Sequence, residues 1–181
     1  MLYALCCRLE GNVEKYHHKI VNEITKKFGA NITKTKDIPA HFTLKFPFET
    51  ENIKEIEKIL KAFCKTHKKT TVTVGGFGGF YPSIIFITVR LSREAKQTFF
   101  ELISALRKVE RMQWDKFDAE KMRFHATVAE ECGDKFSDIR QFVKSKEQHF
   151  NCWFDNITII ESVSGNREFE KWKIDKCYRM E

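Results

Sequence analysis

Two short stretches of this chain, His41–Phe48 and Arg123–Glu130, alternate polar and apolar residues with a period of two. That is the side-chain period of a β-strand, so each stretch has one polar and one apolar face. In the first, Phe42, Leu44 and Phe46 share the apolar face, and His41, Thr43 and Lys45 share the other. In the second, Phe124, Ala126 and Val128 are apolar, and Arg123, His125 and Thr127 lie opposite. Both apolar faces must be covered, which calls for helices layered on sheet.

The rest of the sequence supplies that cover. Val13–Phe28 places Ile20, Ile24 and Phe28 at helical spacing and stops at Gly29. Asn52–Lys65 gathers Ile53, Ile56, Ile59, Leu60 and Phe63 on one face. A third helix starts at Ser92, with Glu94 near its N-terminus, and a fourth spans Asp134–Ser145. Further strands are expected at Leu2–Leu9, Thr70–Val74, Ile84–Leu91, Phe150–Val163 (bulged or bent) and Glu170–Asp175. Loops are expected at Ala30–Ala40, Gly75–Pro82, Glu110–Met122 and Ser164–Arg167. Helices mixed with hairpins argue for an α+β fold and against a doubly wound nucleotide-binding sheet. Phe-Thr-Leu after His41 is echoed by Ala-Thr-Val after His125, and an acidic turn and a helix follow each strand. The echo points to two similar lobes within one domain spanning residues 1–181.

A formal charge of +7 and a pI of about 9.1 favour anionic partners, nucleic acid among them, although such charge also serves solubility. The six cysteines form no Cys-x-x-Cys pair and no zinc-ligand spacing, so reduced thiols are expected. Met1–Cys7 is too short for a signal-peptide core, and no segment reaches the length of a membrane span. A cytoplasmic protein, monomeric and without membrane association, is the expectation.

Of the six histidines, only His41 and His125 are followed two positions later by threonine on a predicted strand. His17 and His18 are expected at the surface of the first helix. Two strands, each offering an imidazole, a hydroxyl and a cation, suit phosphodiester cleavage. A neutral imidazole can accept a proton from water while an imidazolium protonates the leaving oxygen. Threonine hydroxyls can hold non-bridging oxygens, and cations can offset developing charge. No metal or cofactor is required, and no acidic or histidine cluster has ligand spacing. The alternatives are two structurally satisfied histidines, or a non-catalytic protein that binds RNA ends in the same cleft.

Pro39-Ala40-His41-Phe42-Thr43-Leu44-Lys45-Phe46-Pro47-Phe48 resembles the first motif of the 2H phosphoesterase superfamily. Phe124-His125-Ala126-Thr127-Val128-Ala129 resembles the second, departing from it with Phe124 before the histidine and Glu130 and Glu131 beyond. That superfamily includes the RNA 2′,3′-cyclic phosphodiesterases once named 2′-5′ RNA ligases. The resemblance implies two pseudo-symmetric lobes, each an antiparallel-rich sheet with helices outside, flanking a central cleft. It implies catalytic roles for His41 and His125, phosphate-binding roles for Thr43 and Thr127, an RNA or nucleotide phosphodiester substrate and no cofactor.

Lys45 and Arg123 share a face with the pair by period, so each either contacts phosphate or faces solvent. Gly75–Pro82 lacks the lysine and hydroxyl of a Walker loop. It is read as a mobile loop presenting Phe80 or Tyr81 to a base, or as a hairpin turn with its rings tucked inward. The Lys65–Lys69 run is a solvated turn or an RNA-steering patch. Trp114 could wall the cleft.

Overall fold

The computed structural model describes residues 1–29, 38–163 and 172–181. The elements run β1 (Leu2–Arg8), α1 (Asn12–Phe28), β2 (His41–Glu49), α2 (Ile53–Thr66), β3 (Thr70–Phe80), β4 (Ile84–Leu91), α3 (Arg93–Leu106), β5 (His125–Ala129), α4 (Phe136–Lys144), β6 (His149–Phe154), β7 (Asn156–Ser162) and β8 (Trp172–Arg179). They build two antiparallel four-stranded sheets, ordered β2-β1-β7-β8 and β5-β4-β3-β6. The fold is α+β. The loop expected from Ala30 falls mostly on residues 30–37, and the turn at Ser164–Arg167 falls wholly on 164–171; both segments lie outside the described residues.

Helix amphipathicity decides how the sheets are covered. Ile56, Leu60 and Phe63 of α2 are buried, and this helix packs on β7 and β8. α3 begins where Ser92 Oγ accepts a hydrogen bond from the Ala95 amide at 3.0 Å. Its buried Phe99, Leu102 and Leu106 lie against the other sheet. Each sheet thus keeps one face for helices. A single apolar cluster draws on both, with Phe42 of β2 packed edge-on against Phe124 and Phe154 at 5.9 Å each. Among the described residues, no helix is long and apolar enough to cross a membrane.

Three expectations need correction. The single bent strand expected at Phe150–Val163 is two strands, β6 and β7, which separate at Asp155 and join different sheets. Gly75–Phe80 is not a loop, because β3 continues through it, paired with β4 out to Phe80. Its glycines serve packing rather than mobility: a Cβ on Gly78 would stand 2.4 Å from the Phe86 ring. That strand position is bare so that Phe86 can lie across it.

The third correction concerns Lys45. Leu5 opposes Lys45 while the adjacent Cys6 opposes Thr43, so Leu44 is an extra residue and the period of two breaks there. Lys45 therefore leaves the polar face shared by His41 and Thr43 and is fully buried. Its ammonium donates to Asp118 Oδ2 at 2.6 Å and lies over the rings of Phe48 and Trp114. Trp114 is thereby engaged as a lid on this lysine. Asp118 also accepts from the amides of Phe46 (2.9 Å) and Asp115 (2.7 Å). The carboxylate thus ties β2 to the segment that leads into β5.

Removing one partner from a buried, hydrogen-bonded ion pair typically costs about 3–5 kcal/mol. Asp118→Ala is expected to destabilise the protein on that scale, because it takes the carboxylate away from a buried ammonium and two amides. Lys45→Met should cost less, because the carboxylate keeps both backbone donors. Urea melts of the two variants check this; equal stability for Asp118→Ala and wild type would refute it.

Candidate active site

His41 opens β2 and His125 opens β5, and each strand is the edge of its sheet. His41 sits opposite Arg8 of β1, and Thr43 opposite Cys6, so His41, Thr43 and Arg8 share one face. The other face carries Phe42 and Leu44, both fully buried. His125 sits opposite Thr88 of β4, and Thr127 opposite Phe86. Ala126 and Val128 are fully buried beneath them. Both histidines and both threonines are half-buried.

The two imidazoles are held in the same way. His41 Nδ1 is 2.8 Å from the Pro39 carbonyl, and His125 Nδ1 is 2.6 Å from the Arg123 carbonyl. A carbonyl only accepts, so each Nδ1 carries a proton and donates it to the residue two positions upstream. Each Nε2 has no protein partner among the described residues. The hydroxyls of Thr43 and Thr127 are likewise unengaged among the described residues.

Burial is the main force pushing both imidazole pKa values below the ordinary histidine range. The carbonyl bonds oppose that shift, and at His41 the nearby charge of His125 adds to it. A charge on His125 thus disfavours the charged form of His41.

The surroundings of the pair differ. Phe80 meets His125 edge-on at 5.2 Å, and Phe86 lies tilted against it at 4.7 Å. Phe80 is thus part of the wall around His125. Tyr81 is 80% exposed and leans on Phe136 at the turn, apart from the pair. Arg123 is exposed, and its backbone rather than its side chain meets His125. Among the described residues, no three His, Cys, Asp or Glu side chains converge as metal ligands do.

A third imidazole was missed in the sequence. His17 of α1 is only 3% exposed, not a surface residue, and its Nε2 donates to the Thr127 carbonyl at 2.7 Å. The charge of His41 reaches it. The signal was present: His17 stands four residues after Val13 and three before Ile20, on the apolar stripe of the helix. It fastens the outer edge of β5 at the motif threonine. Burial pushes its pKa down to about 4.

A sequence profile described as the 2′-5′ RNA ligase superfamily matches residues 14–166. Among solved structures, Escherichia coli LigT in complex with 3′-AMP superposes with a TM-score of 0.67 at 15% identity, covering 98% of this chain and 97% of that one. TT0787 of Thermus thermophilus gives 0.67 at 11% identity, covering 99% and 98%. Usb1 of Kluyveromyces marxianus gives 0.50 at 13%, covering 87% and 92%. No curated protein sequence matches.

Two outcomes follow from the electrostatics. In the ligand-free protein, the imidazoles of His41 and His125 should titrate below about 6.5 by NMR, and inorganic phosphate should raise both, since an anion favours imidazolium. Titration at or above the ordinary value without phosphate would contradict the burial argument. For His17 the folded pKa lies below the unfolded one, so the unfolded chain binds more protons between the two. Stability should be full above about pH 6.5 and fall as the pH drops towards 4. His17→Phe should flatten that slope in denaturant melts.

Proposed function

The chain belongs to the 2′-5′ RNA ligase superfamily, within the 2H phosphoesterases, and from that membership we propose that it hydrolyses 2′,3′-cyclic phosphate or 2′-5′ phosphodiester bonds of RNA or nucleotides without a metal. Phosphoesterase-type chemistry follows from the family; the hydrolytic direction, the substrate and the residue roles are our reading. The observation that carries it is the shared tautomer of His41 and His125. Each imidazole offers Nε2 to a reactant while Nδ1–H is anchored to a carbonyl.

In this mechanism neutral His125 accepts a proton from the attacking water at Nε2. The water oxygen bonds to phosphorus, and the bond from phosphorus to one ribose oxygen breaks. Protonated His41 delivers its Nε2 proton to that leaving oxygen. The carbonyl behind each ring stabilises its imidazolium state, and the mutual repulsion of the pair favours one shared proton. Thr43 and Thr127 donate to the non-bridging oxygens. Phe80 and Phe86 keep one side of His125 dry, which strengthens these contacts. One copy of the chain carries both histidine strands, so the proposed site is complete within a monomer. LigT has been crystallised with 3′-AMP and with ATP, which supports a nucleotide ligand for this fold.

His41→Ala and His125→Ala should each lower turnover of a nucleoside 2′,3′-cyclic phosphate by roughly 10²- to 10⁴-fold, the scale of losing a general acid or base. The double variant should lose less than the product, because the pair acts as a unit. Thr43→Ala and Thr127→Ala should cost less than either histidine. Wild-type turnover should be bell-shaped in pH and resist chelator. Near-normal hydrolysis by a folded double variant would eliminate the mechanism. Tight nucleotide binding with no turnover of any cyclic or 2′-5′ substrate would leave a binding protein.

A further inference from the structure

The sheet that carries His125 has an open face extending well beyond the catalytic pair. Strand register assigns it. Thr88 is opposite His125, and Arg90, two residues on, shares its face. Arg90 is opposite Thr73, and Thr73 is opposite Asn151 of β6. Trp153, two residues beyond Asn151, closes the row. The alternate residues Val72, Val74, Val89 and Leu91 are buried, which confirms the division of faces. With strands about 4.8 Å apart and a rise of about 3.4 Å per residue, the path from His125 to Trp153 is about 20 Å.

The face is polar and cationic, with one large exposed ring. Arg90 is exposed and makes no ion pair among the described residues. Trp153 is 49% exposed, and Lys69 Nζ stands 5.5 Å from its ring centroid. A cavity of about 450 Å³ runs along β6 and is lined by Asn151, Trp153 and Arg8, the residue paired with His41. The cavity meets the His125 row at Asn151 and Trp153, and Arg8 brings the strand paired with His41 to its edge. Two carboxylates border it, Glu10 and Asp155, and Arg179 pairs with both.

We propose that this face is a track for single-stranded RNA leading to the reacting phosphodiester, with a base stacked on Trp153 and backbone phosphate held by Arg90. The proposal rests on the phosphodiesterase reading for its substrate. An exposed indole beside cations is how sheets take single strands without reading sequence. The length admits roughly four nucleotides, the short end of such sites. The track makes the natural substrate an RNA chain end rather than a free cyclic mononucleotide.

The test compares a nucleoside 2′,3′-cyclic phosphate with a six-nucleotide oligoribonucleotide carrying the same terminus, using wild type, Trp153→Ala, Trp153→Phe and Arg90→Ala. Trp153→Ala should raise KM for the oligonucleotide roughly 10-fold, the scale of one lost base stack, and leave the mononucleotide unchanged. Trp153→Phe should retain most of the affinity. Equal effects on both substrates, or on neither, would overturn the proposal. A second arm needs no turnover: anisotropy of a fluorescent oligoribonucleotide ending in a 3′-phosphate, measured against salt. Arg90→Ala should lower the log–log salt slope by about 0.7, the contribution of one single-strand phosphate. Loss of hydrolysis of every substrate with this binding pattern intact would refute the phosphodiesterase reading and spare the track. Unchanged RNA affinity in Trp153→Ala would refute the track itself. The same holds if the substitution instead alters self-association in sedimentation, as expected if β6 were an edge for a second copy.

Discussion

The buried carboxylate of Asp118 is the interaction on which the relative placement of the two sheets most depends. It takes an ammonium and an amide from β2, and a second amide from its own loop, three residues before it. That loop runs directly into β5. The two edge strands bearing His41 and His125 are thus joined through one anion rather than through a sheet ladder. Burying a charge pair is defensible only when every hydrogen-bonding group is used, and here the carboxylate has three donors. The bulge at Leu44 makes this possible: without it, Lys45 would point to the polar face with His41 and Thr43.

The other side of β5 is held differently. α1 brings His17 under the Thr127 carbonyl, an acceptor at a sheet edge that no strand covers among the described residues. A buried edge carbonyl needs a donor, and a neutral imidazole supplies one without introducing a charge. The motif threonine is thereby fixed through its backbone while its hydroxyl stays unengaged among the described residues. Phe86, lying over the bare Gly78, supports the neighbouring imidazole. Apolar and polar contacts thus converge on one short strand of five residues.

How much of this was legible in the sequence follows from how local each cause is. Ile84–Leu91 and the helix cap at Ser92 depend on period and on one hydroxyl, and both could be read directly. His41 and Thr43 share a face for the same reason. Lys45 could not be placed, because a bulge is set by the partner strand and leaves no trace in the alternation. The split at Asp155 was hidden because β6 and β7 are both strand-like and only their pairing partners differ. Gly75–Phe80 misled because glycine signals a turn far more often than a seat for a ring. His17 was misjudged by composition: neighbouring lysines and a second histidine masked its place on the apolar stripe.

The proposed mechanism asks two identically anchored imidazoles to take opposite roles. Each imidazole has the same tautomer and the same kind of carbonyl partner, so neither is intrinsically the acid or the base. Burial makes two charges in this space more costly than one, and the charge of His125 weighs on His41. A bound phosphate would draw one proton into the pair, and repulsion would resist the second. The state with one proton between two imidazoles is the state that acid–base cleavage needs. Burial of both rings works towards that state by opposing a second charge. Phe80 and Phe86 favour the neutral form of His125, and burial and the charge of His125 do the same for His41, so these neighbours do not by themselves select the acid. Substrate orientation completes the choice, because the leaving oxygen must face whichever ring holds the proton.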